Sequence, residues 1–187
     1  QDHVVKAEIL LHGSFATTGI GHGTDKALIA GLLGMRPDDI RIPDSFFLAK
    51  RDGMEFSFST ITLKDAHPNT AVLRLTGEHG RKIEVQAASI GGGRILIAKL
   101  DGIEVNFSAE KPTLIVHNVD QPGHVAQVTS MLAEKQVNIA TLQLYRDKRG
   151  GYAVMVIETD QEVPEESVAW LEQLDGIIKV TYINLEE

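Results

Sequence analysis

TLIVHNVDQPGHVAQVTSMLAEKQVNIATLQLYR, residues 113–146, contains a strand, a helix and a second strand in that order. The run TLIVHN is apolar and rich in β-branched residues, and the turn DQPGH ends it. From Val125 the apolar residues recur at helical spacing, and from Val137 they alternate again. The strand YAVMVIE, the helix PEESVAWLEQL and the strand IIKVTYINL follow. The resulting order βαββαβ is typical of a ferredoxin-like fold.

The first half of the chain has a different pattern. It begins with the strand VVKAEILL, the glycine-rich segment HGSFATTGIGHGTD, which we expect to be a loop, and the helix KALIAGLLG. A second helix covers SFFLAKR, and from Ala71 an alternating pattern with the turns GEHG, GGG and Asp-Gly predicts an antiparallel meander. The polar segment 108–112 then marks a boundary. We therefore predict an α+β chain with one domain over 1–110 and a ferredoxin-like domain over 111–187.

Composition and charge exclude several classes of protein. The 187 residues carry 18 basic and 26 acidic side chains, and 18 − 26 = −8 argues against nucleic acid or a membrane as partner. The absence of cysteine excludes disulfides, thiolate zinc sites and cysteine-held iron–sulfur clusters within this chain. No apolar window is long enough to span a membrane, so we expect a cytoplasmic protein. Because the sequence starts at Gln1, we expect the natural protein to begin upstream, and we expect the acidic end 185–187 to be solvated.

The segment GHGTD, residues 21–25, is the first candidate site. Its glycines let the backbone approach a ligand, and the N–H groups at the start of the following helix favour a carboxylate or a phosphate. Imidazole takes or gives a proton near neutral pH, so His22 is suited to proton transfer. The alternative is a glycine loop in which Thr24 or Asp25 caps the helix and His22 faces solvent.

The segment DAHPNT, residues 65–70, is the second candidate site. Pro68 favours an extended conformation at His67, and the Asn69 amide offers both a donor and an acceptor to a small polar ligand. The alternative is a plain turn before the strand at Ala71.

A metal site made of His12, His22 and Asp25 would indicate a hydrolase. Their spacing matches no known metal-site pattern, so we predict no metal ligands in this chain.

The second half of the chain resembles the ACT domain, a small regulatory module that binds amino acids. The resemblance rests on DQPG, residues 120–123, before the first helix and on VNI, residues 137–139, after it. It implies that a regulatory amino acid binds between two modules at a set of five residues, namely Asn118, Asp120, Gly123, His124 and Asn138. The helix N-terminus would receive the carboxylate, and the side chains would hold the ammonium group. The alternative is that these residues only cap turns. Exposed strand edges predict a homodimer through this domain.

The first half is similar to the β domain of bacterial iron–sulfur-dependent L-serine dehydratase. The similarity rests on GSFATTGIGHGTDKAL, DAHPNT and SIGGG, and the family's serine-rich upstream segment is absent. This domain is related in fold to the allosteric substrate-binding domain that precedes the ACT domain in some phosphoglycerate dehydrogenases. The resemblance therefore implies the β chain of a lyase that converts L-serine to pyruvate and ammonia. A separate α chain would hold a [4Fe-4S] cluster, whose open iron polarises the serine hydroxyl.

The same resemblance assigns roles to residues of the first half. The residues expected to face the reaction are His22, His67 and Asn69. The residues expected to bind substrate are Gly13, Ser14, Phe15, Gly23, Thr24, Asp25, Gly91 and Gly92. The main alternative function is a non-catalytic regulatory module that senses an amino acid, and L-threonine remains open as an additional substrate.

Overall fold

The computed structural model describes residues 3–184, so the predicted acidic end at 185–187 lies outside them. The chain forms two compact units, which divide between Gly102 and Ile103. The sequence placed this division slightly later, between residues 110 and 111. No helix within residues 3–184 has the length and apolar character needed to cross a membrane.

The first unit contributes five strands, in the order β2-β1-β3-β4-β5, to a mixed sheet. The strands are β1 Val4–Leu11, β2 Glu55–Thr60, β3 Thr70–Gly77, β4 Lys82–Gly91 and β5 Arg94–Leu100. Strand β3 pairs antiparallel with β1 and with β4, and β4 pairs antiparallel with β5, which confirms the predicted meander. Strands β1 and β2 pair in parallel. The helices are α1 Gly13–Thr18, α2 Thr24–Leu32 and α3 Ser45–Arg51, with short 3-10 turns at Ile20–His22 and Ile42–Asp44.

Helix α1 corrects the expectation that the whole glycine-rich segment is a loop. The Thr17 hydroxyl donates to the Gly13 carbonyl oxygen at 3.3 Å, and the Thr18 hydroxyl donates to the Ser14 carbonyl oxygen at 2.9 Å. These hydroxyls bond back onto the preceding turn of the helix, as threonine does within helices. The Phe15 side chain packs against the apolar core of the unit. Packing of Phe15 against the core thus holds a helix that the glycines and threonines do not favour by propensity, while the hydroxyl bonds satisfy the threonine side chains.

The core of the first unit lies between one face of the sheet and the helices. Ile9 of β1 and Ile29 of α2 are fully buried there. The register aligns Leu11 with Thr60 of β2 and with Ala71 of β3. The segment after β1 and the segment before β3 therefore emerge at the same end of the sheet, where β4 also ends.

The second unit contains a four-stranded antiparallel sheet in the order β10-β7-β9-β8. Its elements are β6 Ile103–Phe107, β7 Thr113–Val119, α4 His124–Glu134, β8 Ile139–Arg146, β9 Tyr152–Thr159, α5 Glu165–Leu171 and β10 Ile177–Ile183. From β7 onward the order is βαββαβ, which confirms the prediction. Helices α4 and α5 bury Leu132 and Leu171 against Leu114, Met155 and Ile157 of the sheet. This packing places the start of α4 beside the end of β7.

Candidate functional site

The segment after β1, which carries Gly13 and Ser14, contacts the second candidate segment, residues 65–70. The Ser14 N–H donates to the Pro68 carbonyl oxygen at 2.8 Å, and the His12 N–H donates to the Thr70 carbonyl oxygen at 2.9 Å. Gly13 has a φ of +57°, and a Cβ there would lie 2.5 Å from the Pro68 carbonyl oxygen. Only glycine combines this backbone conformation with so close an approach. The contact brings Gly13 and Ser14 next to the segment that carries His67 and Asn69.

His22 is held from within its own segment. It ends the 3-10 turn that follows α1, and its side chain is exposed. The ring Nδ1 lies 2.8 Å from the carbonyl oxygen of Thr18. The helix end thus fixes the orientation of the ring, and the other ring nitrogen faces away from this bond.

Three hydrogen bonds hold the segment from His67 to Asn69. Two of them lie within residues 67–70, and the third comes from β4. The Asn69 N–H donates to Nδ1 of His67 at 3.1 Å, and the Thr70 hydroxyl donates to the His67 carbonyl oxygen at 2.6 Å. The Ser89 N–H donates to the Asn69 carbonyl oxygen at 3.0 Å. The His67 ring is exposed, while Thr70 is buried. A rigid turn therefore presents an oriented imidazole at the end of the sheet.

The predicted anion-binding start of α2 is partly satisfied within the chain. Gly23 adopts a left-handed conformation before the helix, and the Thr24 N–H donates to the Gly19 carbonyl oxygen at 2.9 Å. The Asp25 carboxylate accepts from the Lys26 N–H at 2.9 Å. Two of the first N–H groups of the helix are therefore engaged. The N-cap of α2 is Gly23, without a side-chain cap bond, so Thr24 and Asp25 lie in the first turn of the helix and do not occupy the cap position that the alternative interpretation expected.

Two other predicted substrate-binding positions have structural explanations. Gly92 and Gly93 have φ values of +64° and +76° in the turn between the paired residues Gly91 and Arg94. Positive φ at both central residues is the requirement of a type I′ hairpin turn, which accounts for these glycines. Phe15 is engaged in the apolar core. The geometry of β4 and of α1 is thus sufficient reason for these residue types.

The hydrolase alternative has no support from the geometry. Nδ1 of His12 accepts from the Leu63 N–H at 3.2 Å, so this ring is tied to the segment after β2. Across the part of the chain that the structure describes, no group of three or more metal-ligating side chains could hold an ion. His12, His22 and Asp25 are therefore not assembled into a metal site.

In the second unit, two of the five predicted ligand residues present unsatisfied polar atoms. Asn118 is 3% exposed, and its Nδ2 donates to the Val119 carbonyl oxygen at 2.7 Å. Among residues 3–184, no hydrogen-bond partner exists for the buried Oδ1 of Asn118 or for Nε2 of His124. His124 is 7% exposed at the first position of α4, after Gly123. A buried polar atom without a partner is costly, and it fits a ligand that would satisfy it.

Sequence analysis missed Gly176, which lies against His124. A Cβ at Gly176 would lie 2.6 Å from Nε2 of His124, and the φ of Gly176 is +80°. The Gly176 carbonyl oxygen also accepts from the Val119 N–H at 2.8 Å. The only signal in the sequence was a glycine shortly before the last strand, which is common in turns. Gly176 therefore joins the end of β7 to the start of α4.

The other predicted ligand side chains of this unit are engaged with neighbours. The Asp120 carboxylate accepts from the Gly150 N–H at 2.9 Å and from Arg146 at 3.1 Å. The Gly150 N–H, followed by the Arg146 guanidinium, holds the pKa of the Asp120 carboxyl below its usual range. The Asn138 Nδ2 donates to the Asp160 carboxylate at 2.6 Å. Asp120 and Asn138 thus support turns, as the alternative interpretation expected.

The fold and these sites define a class: an α+β chain with a glycine-rich, histidine-bearing first unit and a ferredoxin-like second unit. Residues 112–176 match the family model of the ACT domain, and residues 1–52 match that of the serine dehydratase beta chain. The L-serine dehydratase beta chain of Peptoniphilus asaccharolyticus is 38% identical over 161 residues, which cover 86% of this chain and 72% of the relative. The chain belongs to the L-serine dehydratase beta chain family.

One further relative agrees with this assignment, and two other matches are to different proteins. A probable L-serine dehydratase beta chain of Bacillus subtilis (strain 168) is 37% identical over 175 residues, which cover 94% of this chain and 79% of the relative. A D-3-phosphoglycerate dehydrogenase of Methanocaldococcus jannaschii is 32% identical over 113 residues, 60% of this chain but 22% of that enzyme. A solved ACT domain of a GTP pyrophosphokinase from Chlorobium tepidum matches 38% of this chain and 95% of its own at 16% identity, and its TM-score of 0.29 adds nothing to the assignment.

Proposed function

We propose that this chain is the β subunit of an L-serine dehydratase, which converts L-serine to pyruvate and ammonia together with an α chain in the cytoplasm. The family assignment supports the subunit identity. The observation that carries the proposal is the Ser14–Pro68 hydrogen bond of 2.8 Å. It joins the segment that carries Ser14 to the segment that carries His67 and Asn69 at one end of the sheet, although the two segments lie far apart in sequence.

The reaction requires one proton acceptor and several polar contacts. The bond from Cα to hydrogen breaks, its electron pair forms a double bond to Cβ, and the Cβ–O bond releases the hydroxyl. The aminoacrylate product tautomerises to an imine, which water hydrolyses to pyruvate and ammonia. His22 is suited to receive the Cα proton. The His67 ring and the Asn69 side-chain amide are suited to contact oxygens of the substrate, and Gly13 and Ser14 lie beside them against Pro68.

The residues of this chain do not fit an iron–sulfur cluster. The sequence has no cysteine, and no metal-holding group occurs within residues 3–184. The [4Fe-4S] cluster that the resemblance implies would therefore be held by the α chain. The roles proposed for His22, His67 and Asn69 concern this chain alone and do not depend on how the cluster is bound.

The direct test is an anaerobic pull-down from the source cell with this chain as bait, followed by iron analysis and a pyruvate assay with L-serine. We expect a cysteine-bearing partner, iron and pyruvate in the eluate, and L-threonine is assayed beside L-serine. A complex with His22→Ala should retain its iron and lose turnover. The matched control is His79→Ala, because His79 lies in the exposed turn between β3 and β4. Full turnover by the His22→Ala complex would remove His22 from this role.

Amino-acid sensing by the second unit is the second candidate function. The unpartnered Oδ1 of Asn118 and Nε2 of His124 favour it, because both atoms are buried beside the start of α4. An ammonium group would satisfy the oxygen, and the N-terminus of the eleven-residue helix favours the carboxylate. Thermal stabilisation of the full chain by L-serine, without metal and without the α chain, tests this role. No stabilisation by L-serine or by another small amino acid would count against sensing.

Pairing of two copies through the second unit is part of the same proposal. Strand β8 is an edge of the four-stranded sheet, and it exposes Leu142 and Leu144. An unpaired edge with apolar side chains favours pairing with a second copy. Sedimentation of the full chain should give a dimer, and Leu144→Glu should shift it toward monomer. A monomer at all concentrations would contradict this arrangement.

A further inference from the structure

We propose that two exposed histidines of the first unit, His22 and His67, carry their protons on opposite ring nitrogens. In this assignment His22 offers a bare Nε2 that accepts a proton, and His67 offers an Nε2–H that donates a hydrogen bond. The catalytic roles that follow from this assignment rest on the proposed dehydratase function. Its structural content is independent of that function, because it follows from backbone groups beside each ring.

The assignment of His22 follows from what a carbonyl oxygen can do. Nδ1 of His22 lies 2.8 Å from the Thr18 carbonyl oxygen, and a carbonyl oxygen only accepts hydrogen bonds. Nδ1 must therefore carry the proton. In a neutral imidazole only one nitrogen is protonated, so Nε2 keeps its lone pair. The same hydrogen bond orients the ring, as a backbone carbonyl does for many functional histidines.

The assignment of His67 follows from the opposite partner. Nδ1 of His67 lies 3.1 Å from the Asn69 backbone nitrogen, whose N–H only donates. Nδ1 must therefore be bare, and in the neutral ring the proton lies on Nε2. The Thr70 hydroxyl and the Ser89 N–H hold the carbonyl oxygens of His67 and Asn69, so the turn that makes this bond is itself fixed. The backbone N–H of Asn69 thus positions the His67 ring, in addition to the substrate contact proposed for the Asn69 side chain.

The two assignments match the proton balance of serine dehydration. The lone pair of His22 Nε2 accepts the proton from Cα. A neutral His67 does not give up its Nε2 proton, since this would leave an imidazolate, but it can donate a hydrogen bond to a substrate oxygen. The proton held by His22 then leaves with the released hydroxyl as water. One histidine therefore moves the proton, and the other binds and orients the substrate.

The tautomers are measured directly in the full chain labelled with ¹⁵N-histidine. Long-range ¹H–¹⁵N correlation is recorded at a pH about two units above the ordinary histidine pKa, where free imidazole is neutral. We expect a protonated Nδ1 for His22 and a protonated Nε2 for His67. The variants His22→Gln and His67→Gln assign the resonances, and circular dichroism checks that each variant is folded. The same tautomer at both positions, or the reverse pair, would overturn the inference.

Kinetics of the complex with the α chain test the catalytic meaning. A glutamine amide reaches the position of Nε2 and carries a donor, whereas an asparagine amide reaches the position of Nδ1. We therefore expect His67→Gln to retain about tenfold more kcat/KM than His67→Asn. His22→Gln cannot accept the proton, so kcat should fall by about 10²–10⁴. Equal kcat/KM for the two His67 variants would overturn the donor role.

The two experiments separate failure of the inference from failure of the proposed function. If the complex with the unchanged chain makes no pyruvate from L-serine, the dehydratase function fails. The measured tautomers still decide whether His22 and His67 are protonated on opposite ring nitrogens. If the complex is active but the tautomers differ from those expected, the dehydratase function stands and the division of roles between His22 and His67 falls.

Discussion

The backbone N–H of Ser14 donates a 2.8 Å hydrogen bond to the carbonyl oxygen of Pro68. This bond is possible because Gly13 brings its backbone against Pro68, in a conformation with φ of +57°. The segment after β1 and the turn before β3 therefore form one structural unit. The position of Gly13 is thus as important for the candidate site as the polar residues around it.

Replacing Gly13 should disrupt this contact. In Gly13→Ala the Cβ would lie 2.5 Å from the Pro68 carbonyl oxygen and 2.9 Å from the Pro68 Cα. Both are backbone atoms of a fixed turn, so they cannot move aside as a flexible side chain would. A left-handed conformation adds its own cost for alanine, and we expect a loss of about 1–3 kcal/mol in the free energy of unfolding. Urea unfolding of the full chain measures it.

The matched control is Gly21→Ala. A Cβ at Gly21 would meet no atom within 4 Å, and this glycine does not have a positive φ. We therefore expect a change within about 0.5 kcal/mol. Equal losses for Gly13→Ala and Gly21→Ala would show that the Pro68 contact does not determine the effect.

The sequence predicted elements with strong local signals and missed those that depend on distant partners. The βαββαβ order and helix α3 are confirmed, because periodicity and turn residues are local. Helix α1 was expected to be a loop, since its stability depends on the packing of Phe15 against the core, which is a tertiary contact. The parallel pairing of β1 with β2 also had no local signal, because strand pairing is a tertiary property.

The same distinction applies to the candidate site. Residue types pointed to His22 and His67, but their ring orientation depends on the Thr18 carbonyl oxygen and the Asn69 N–H. Every residue has these backbone groups, so the sequence carries no sign of which ones are used. The contact of Gly176 with His124 was missed for a related reason, since it joins a turn to a helix far away in the chain.

Phe46 and Phe47 are neighbours in α3 with opposite surroundings. The Phe46 ring lies 5.0 Å from the Phe56 ring and 5.9 Å from the Phe58 ring, measured between centroids. Phe47 is 70% exposed. We expect Phe46→Ala to lower the free energy of unfolding by about 3 kcal/mol, because it leaves a cavity beside β2. Phe47→Ala should change it by no more than about 0.5 kcal/mol. Chemical denaturation compares the two, and similar losses would contradict the packing of α3.

Asp120 should make the stability of the chain depend on pH in the acid range. Its carboxylate accepts from the Gly150 N–H and from Arg146, and these bonds lower its pKa in the folded protein. Because the pKa is lower in the folded state, the ionised carboxylate stabilises the fold at pH values above the unfolded-state pKa of about 3.9. This stabilisation is lost as the pH falls through the folded-state pKa. Asp120→Asn should therefore be less stable than the parent at neutral pH, and the difference should shrink below a pH of about 4.

Urea unfolding over a pH series measures this difference. Arg146→Gln should have a smaller effect than Asp120→Asn, because the Gly150 N–H is the larger cause of the lowered pKa. In the Asp120→Asn background, Arg146→Gln should add no further dependence on pH. A difference between parent and Asp120→Asn that stays constant from neutral to acid pH is incompatible with this account.

Asn118 should be required for the effect of L-serine on the second unit but not for its folding. Its Oδ1 is buried without a partner within residues 3–184, so Asn118→Leu removes an unsatisfied acceptor at the cost of one hydrogen bond to the Val119 carbonyl oxygen. We expect the unfolding temperature without ligand to stay nearly the same and the increase with saturating L-serine to disappear. Asn106→Leu, the same change at an exposed position of β6, should keep the full increase. Differential scanning fluorimetry of the three chains decides between the outcomes. If Asn118→Leu responds to L-serine as strongly as the parent, the amino acid binds elsewhere and the buried oxygen has no part in sensing.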